Sequence, residues 1–415
     1  MRIDTLDILR CPFCGGGLEL VTSMFHRRTD SEIADGIIGC QCCLFPVVDG
    51  IPVMHLQPSA NAAREHIQGG RPDLALRAMV GIEAEADAER FEATARSTTA
   101  TYREIVDALG RGFEGGYFLY RFSDPTFIVS QAVVRAVAGP VLHGSRRAID
   151  VCGGSGHLTR ALMDLSPMAP VLADLYFPKI WLARRFTAPG CEPVCCDGNG
   201  PFPFAHGAFA YAMCSDAFMF IWTKRLFIGE MMRLVDGPGD PGAVVVTHTH
   251  NLITWSPSHG NPLTPKGYRG LFETLQPRMF AEAALFKDVV SGGPLDLARI
   301  DDDATLESDP ALTCIATRHE GVFRPHAIEP AGPARGVYRV NPLYEAAASG
   351  RQLRLRLRFP DRDYEDEYGA CRAYLPEEAT VDLDALQRLE AGGPIDELSD
   401  LIRRKVIVDL PKQYY

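Results

Sequence analysis

Five of the twelve cysteines in this 415-residue chain fall between Cys11 and Cys43, in two tight groups. Cys11-Pro-Phe-Cys14 and Cys40-Gln-Cys-Cys43 are two C-x-x-C pairs with 25 residues between them. Thiolates at that spacing close a tetrahedral zinc site, and the intervening chain forms the hairpin between the knuckles. Cys11, Cys14, Cys40 and Cys43 are the expected ligands, with Cys42 a rival for the fourth position. A module this small has little core, so zinc binding would supply much of its folding free energy. The other seven cysteines (Cys152, Cys191, Cys195, Cys196, Cys214, Cys314 and Cys371) lie mostly in apolar or strand-like stretches. That is not the dense framework of a secreted disulfide protein.

A second constellation runs from Ala148 to Leu162, AIDVCGGSGHLTRAL: an apolar strand, a glycine-rich turn and a helix. Gly153, Gly154 and Gly156 allow the turn and let backbone amides approach a ligand with no Cβ in the way. The helix N-terminus offers N–H groups to an anion. Asp150 stands at the strand end, just before the glycines. Asp174 ends the next strand 24 residues on, where an acid can accept both hydroxyls of a ribose. Asp197 ends a third strand 23 residues further, near where an adenine would lie. Acids at the carboxyl ends of three consecutive parallel strands converge on one side of the sheet.

The third constellation is His248 and His250 in VVVTHTHN, just after a fifth strand. At i and i+2 they share a face if the strand continues, and either is a candidate general base. They equally fit polar side chains that cap a strand end. With His259 in the following loop they also make a candidate metal set.

Positioning these groups takes a parallel sheet. From Arg147 onward, short apolar runs alternate with amphipathic stretches. RRAIDVCGG, MAPVLADLY, CEPVCCDG, AFAYAMCSD and GAVVVTHTH are the strands; HLTRALMDL, PKIWLARRF and RLFIGEMMRLV are the helices between them. This alternation implies an α/β fold, a Rossmann-like doubly wound sheet covered on both faces. Four units are expected: a zinc ribbon (1–57), a helical linker and cap (58–140), the sheet domain (141–320) and a C-terminal α+β extension (321–415). In the last, QLRLRLRF (352–359) alternates as a strand with one apolar face. Its other face, Arg354, Arg356 and Arg358, is expected to be solvated, with the acidic run Asp361 to Glu367 as a nearby partner. SPSHGNPLTPKGYRG, from residue 256, reads as a long loop of the kind that carries function.

Composition is that of an ordinary globular protein, 46% hydrophobic and 23% charged. No apolar run approaches the roughly 18 residues that span a bilayer, and MRIDTLDILRCPFC holds no secretory signal. A cytoplasmic protein without a membrane partner is expected. The net charge of −11 argues against nucleic acid, whose phosphates call for a basic footprint.

LDILRCPFCGG…GCQCCLFPVVDGIPVM, about the first 55 residues, resembles the small zinc-ribbon activator subunit of tRNA, rRNA and protein methyltransferases. In that family the second knuckle precedes an aromatic-Pro-apolar stretch and a DGIPVM-like hairpin, matched by Phe45-Pro46-Val47 and Asp49 to Met54. One residue fewer separates the last knuckle from the aromatic, which leaves Cys42 and Cys43 both open. The resemblance implies a module that stabilises or docks on a methyltransferase rather than doing chemistry.

DVCGGSG is similar to the D-x-G-x-G-x-G signature of class I S-adenosylmethionine-dependent methyltransferases, with Cys152 in place of the first glycine. That resemblance spans roughly residues 110 to 320. It implies that the Gly153–Gly156 loop cradles the methionine portion, Asp174 the ribose, and Asp197 with Gly198 the adenine. Cys214-Ser215-Asp216 would mark the boundary between cofactor and substrate. YFLYRFSDPTF (117–127) resembles the N-terminal cap helices of small-molecule methyltransferases, implying that Tyr117, Tyr120 and Phe122 roof the cofactor and Arg121 meets its carboxylate.

The expected activity is methyl transfer by in-line displacement to a small-molecule acceptor such as a secondary metabolite. A homodimer is left open. Zinc-ribbon rRNA guanine methyltransferases share this domain order, so RNA methylation is the alternative. Cys152 in the glycine loop keeps a third reading, a scaffold that binds cofactor and transfers nothing.

Overall fold

The structure is a computed structural model that describes residues 1–110, 114–144, 146–237, 242–254, 260–328 and 334–415. Its central sheet has seven strands: β1 (Arg147–Val151), β2 (Val171–Asp174), β3 (Glu192–Cys195), β4 (Phe209–Ser215), β5 (Ala243–His250), β6 (Arg278–Ala281) and β7 (Ala311–Thr317). They lie side by side in the order 3-2-1-4-5-7-6. β1 to β5 are parallel, and β7 runs antiparallel to β5 and to β6. The five parallel strands are those read from the sequence; β6 and β7 are additions to that reading. The chain builds β1, β2 and β3 to one side and returns to place β4 and β5 on the other. The carboxyl ends of β1 and β4 therefore border the switch point, where sheets of this kind bind ligands.

Five helices matter to the site: α1 (Pro125–Val141), α2 (His157–Leu165), α3 (Phe177–Leu182), α4 (Lys224–Val235) and α5 (Glu282–Ser291). Val133, Val137 and Val141 of α1, Leu158 and Leu162 of α2 and Leu285 of α5 pack on one sheet face, against Ala148, Tyr211 and Val245. Phe227, Ile228 and Met231 of α4 cover the other face, against Ile149, Val151 and Val244. The doubly wound architecture expected from the alternation is therefore present. No described helix is long and apolar enough to cross a membrane.

The N-terminal module (strands Ile33–Gly39, Leu44–Val48 and Ile51–Pro52) packs directly on this sheet. Val53 pairs in parallel with Cys195, and Met54 donates its N–H to the Cys195 carbonyl at 2.7 Å, so the module covers the edge of β3. Trp181 Nε1 donates to Asp49 Oδ2 at 2.7 Å, and Thr5 Oγ1 to Glu192 Oε2 at 3.0 Å.

The thiols that converge in this module are those of Cys11, Cys14, Cys40 and Cys42, all within 4.8 Å of one another. Sulfur separations are 3.6 Å for Cys11–Cys42, 3.7 Å for Cys14–Cys40 and 3.4 Å for Cys40–Cys42. Zinc–sulfur bonds of about 2.3 Å in a tetrahedron require separations of about 3.8 Å, so the cluster fits zinc closely. Of the two thiols left open for the fourth position, that of Cys42 joins the other three in this arrangement, and the Cys43 sulfur lies 3.4 Å from it. The Cys43 carbonyl accepts the Cys40 N–H at 3.0 Å to close the knuckle.

In the C-terminal region, Gln352–Leu357 is the middle strand of a three-stranded sheet, with Leu355 and Leu357 buried and Arg354 and Arg356 exposed. Arg358 pairs with Glu345 rather than with the acidic run. That run instead enters a helix, Arg362–Tyr368, capped by Asp361. Tyrosines from this region reach back to the cap segment. Tyr414 donates to the Leu119 carbonyl at 2.6 Å, Tyr364 to that of Tyr120 at 3.4 Å, and Tyr374 to that of Ser123. Tyr102 adds a fourth bond, to the Phe118 carbonyl at 3.0 Å.

The ligand assignment separates two neighbouring thiols. Cys42→Ser should lower bound zinc well below one per chain, while Cys43→Ser should retain it, as read by elemental analysis of the purified proteins. The reverse pattern would restore Cys43 as the ligand.

Candidate functional site

The turn after β1 is tied to β2 on its own account. Cys152 and Gly153 donate their N–H groups to the Ala173 carbonyl at 2.7 and 3.3 Å, and Gly154 donates to Asp174 Oδ2 at 2.9 Å. The other Asp174 oxygen accepts the Tyr176 N–H at 2.8 Å. A Cβ at Gly153 would stand 2.5 Å from the Asp150 carboxylate and from Leu172, so only glycine fits there. Cys152 carries a left-handed φ of +59°, a conformation that suits glycine and that a cysteine holds under strain.

Asp150 is buried beneath this turn. Its Oδ2 accepts from Thr159 Oγ1 at 2.7 Å, and its Oδ1 has no hydrogen-bond partner. Burial pushes its carboxyl up to about 7, against the pull of the Thr159 hydrogen bond. Asp197 Oδ1 turns back on the Asn199 N–H at 2.8 Å, while Gly198 faces the Cys152 sulfur. The Cys214 thiol, hydrogen-bonded to Cys152, and then burial hold the Cys152 thiol far above its ordinary value. The ends of β1, β3 and β4 thus meet at the switch point.

The cap segment stands over the glycines. Tyr117 Oη lies 2.8 Å from where a Cβ on Gly154 would be, and the Arg121 guanidinium sits 5.0 Å over the Tyr117 ring. Arg121, expected to meet a cofactor carboxylate, instead pairs with Asp124 and with Asp216 Oδ2, the latter at 3.0 Å. Phe122 packs on His157, whose Nε2 is buried without a partner. Nothing local in the sequence marks His157, whose ring contacts come from the cap segment at 117–127.

Beyond Arg121 lies a polar cluster at the ends of β4 and β5. The β5 ladder shifts register between Val246 and Thr249, and His248 takes a φ of +49°. The strand runs through both histidines with this irregularity at the first of them, and their ring centroids lie 5.3 Å apart. His248 donates its N–H to Glu282 Oε1 at 2.6 Å, and its Nδ1 lies 2.6 Å from Glu282 Oε2. Thr313 Oγ1 donates to the same Glu282 Oε1 at 2.7 Å. Burial opposes a charge on His248, but the attraction of Glu282 prevails and raises the imidazole to about 9. The Glu282 pairing thus favours the charged form of His248. Burial and then the neighbouring His248 charge lower His250 to about 4. Asp216, also with a left-handed φ (+52°), brings its carboxylate within 4.8 Å of nitrogens of both histidines. His259 lies outside the described residues.

An adenosyl cofactor matches several features here. Asp174 stands at the end of β2 against the glycine turn, the place a ribose would occupy. The N-terminus of α2 has no side-chain cap, and two orphaned buried atoms, Asp150 Oδ1 and His157 Nε2, flank the loop. Tyr117 is the feature that opposes it, because the phenol takes up space directly over Gly154. A cavity of about 430 Å³ lies elsewhere, lined by Met1, Arg2, Trp181 and Arg184 between the N-terminal module and β3.

The buried Asp150 carboxyl has a signature in stability. With a folded value near 7 and an unfolded value near 4, the native state holds a proton that the unfolded chain has lost, so this group's contribution falls as pH rises from 5 to 7. The slope is at most about 1.4 kcal/mol per pH unit. Asp150→Asn keeps an acceptor for Thr159 and should lose this slope; urea midpoints of both proteins at pH 5 and pH 7 give the comparison. Parallel pH dependence would mean that Asp150 is ionised throughout.

No family model matches the chain, and no curated protein matches it. Several solved structures are similar to about half of it. Geranyl diphosphate C-methyltransferase from Streptomyces coelicolor A3(2) is 13% identical, with a TM-score of 0.32 over 43% of this chain and 73% of that one. A Haloferax volcanii complex containing the Trm112 methyltransferase activator is 17% identical, with a TM-score of 0.36 over 52% and 97%. Haemonchus contortus phosphoethanolamine N-methyltransferase 2 is 15% identical, with a TM-score of 0.31 over 42% and 50%.

Proposed function

We propose that this chain binds S-adenosylmethionine at the carboxyl ends of β1, β2 and β3 and transfers its methyl group to a small-molecule acceptor. The observation that carries this reading is the bond from Gly154 N–H to Asp174 Oδ2, which sets the glycine turn beside the strand-end acid. That pairing suits a ligand with a ribose and a charged tail, and the match of DVCGGSG to the methyltransferase signature favours the sulfonium nucleoside among such ligands. When bound, the cofactor supplies an electrophilic methyl on an excellent leaving group. The protein's share is then position: the acceptor atom must lie in line with that methyl. Asp174 holds the ribose, Asp197 with Gly198 borders the adenine, and Asp216, His248 and His250 orient the acceptor beyond Arg121.

One observation favours a second reading. Tyr117 over Gly154 and the strained Cys152 suit a scaffold that has kept the fold and lost turnover. The N-terminal module, seated on the β3 edge, supports the sheet in either case.

Isothermal titration with S-adenosylhomocysteine tests both. Asp174→Ala should weaken binding at least tenfold, through loss of the ribose acceptor and of the anchored turn. Tyr117→Ala should leave binding equal or tighter if the phenol swings aside as a roof. Binding to wild type without turnover on any acceptor would favour the scaffold; absence of binding in both proteins would end the methyltransferase reading.

A further inference from the structure

We propose that Asp216, His248 and His250 form a site for one divalent first-row transition-metal ion, distinct from the zinc cluster of the N-terminal module. Two imidazoles and a carboxylate are the donor set such ions favour, with coordination positions left open for a ligand. The three donor atoms already lie within 4.8 Å of one another. They come from two separate strand ends, so the sheet itself brings them together.

The surroundings are built as a metal site's outer shell is built. Glu282 takes His248 Nδ1 and thereby leaves Nε2 as the nitrogen for the ion. Glu282 is itself buried and fixed by the Thr313 hydroxyl and the His248 N–H. A carboxylate that orients a ligating histidine in this way is a regular partner of metal-bound imidazoles. A bare His248–Glu282 pair would explain neither the approach of His250 and Asp216 nor the left-handed φ at both Asp216 and His248. Backbone strain of that kind persists where the surrounding structure over-determines a functional arrangement.

Charge points the same way. Arg121 faces Asp124 and Asp216, Glu282 holds His248, and Glu367 and Asp309 lie near the same groups, so carboxyl groups outnumber the one guanidinium and favour a cation here. Arg121 takes Asp216 Oδ2, so Oδ1 is the oxygen available to the ion. The ion would grip an oxygen atom of the acceptor; this role, unlike the site itself, rests on the function proposed above.

The test uses the full zinc-loaded chain, equilibrated with cobalt(II) and read by elemental analysis and visible absorption. One cobalt per chain is expected in addition to zinc, with weak ligand-field bands and no thiolate charge-transfer band. The double variant Asp216→Asn/His250→Gln should weaken that binding at least a hundredfold while retaining zinc and an unchanged near-ultraviolet dichroism spectrum. Glu282→Gln should keep the stoichiometry and raise Kd roughly 10–100-fold. No cobalt beyond zinc, cobalt bound only by thiolates, or undiminished binding in the double variant would overturn the site. S-adenosylhomocysteine titrated in parallel keeps the two proposals apart: cobalt without nucleoside binding spares the metal site and sinks the methyltransferase reading, and nucleoside binding without cobalt does the opposite.

Discussion

The ligand edge of this molecule depends on how the chain leaves β1. Within five residues it must reverse over the strand end and enter α2, and it does so by giving its amides to β2: two to the Ala173 carbonyl and one to the Asp174 carboxylate. That last bond makes the buried Asp174 carboxylate part of the turn. The cost appears at Cys152, held in a left-handed conformation, and at Asp150, buried with one oxygen unpaired. A polar atom buried without a partner is costly, and such atoms in a native protein mark strain or a function.

The cap and the C-terminal region follow from that edge. The segment carrying Tyr117 and Arg121 is held by tyrosine hydroxyls on the carbonyls of residues 118, 119, 120 and 123. Three of those four tyrosines lie beyond residue 360, so the C-terminal extension sets where the cap stands over the glycines. Each bond is worth on the order of 1 kcal/mol, and together they fix the height of Tyr117 above Gly154. Arg160 of α2, paired with Asp409 at 2.9 Å, ties the glycine-loop helix to the same region.

Much of this was legible in the residues. Apolar runs alternating with amphipathic stretches announced β1 to β5, and Asp150 and Asp174 stand on the paired strands β1 and β2 beside the glycine turn. What escaped notice depended on contacts distant in sequence. β6 is only four residues long, and β7, buried at every position, shows no alternation to detect. Glu282 lies 34 residues from His248, so nothing local marks it as that imidazole's partner. The choice between Cys42 and Cys43 turned on hairpin geometry rather than on spacing. Asp216, a partner of Arg121, lies 95 residues away in sequence and meets it only where the cap packs on the end of β4.

Hydrogen–deuterium exchange of the full chain with and without saturating S-adenosylhomocysteine tests the holding of one nucleoside ligand at this edge. Slowed exchange is expected only in the turn at 152–159, at 174–177 and at 197–199, together with the cap around Tyr117. Protection elsewhere, or none at a ligand concentration that saturates binding, would contradict it.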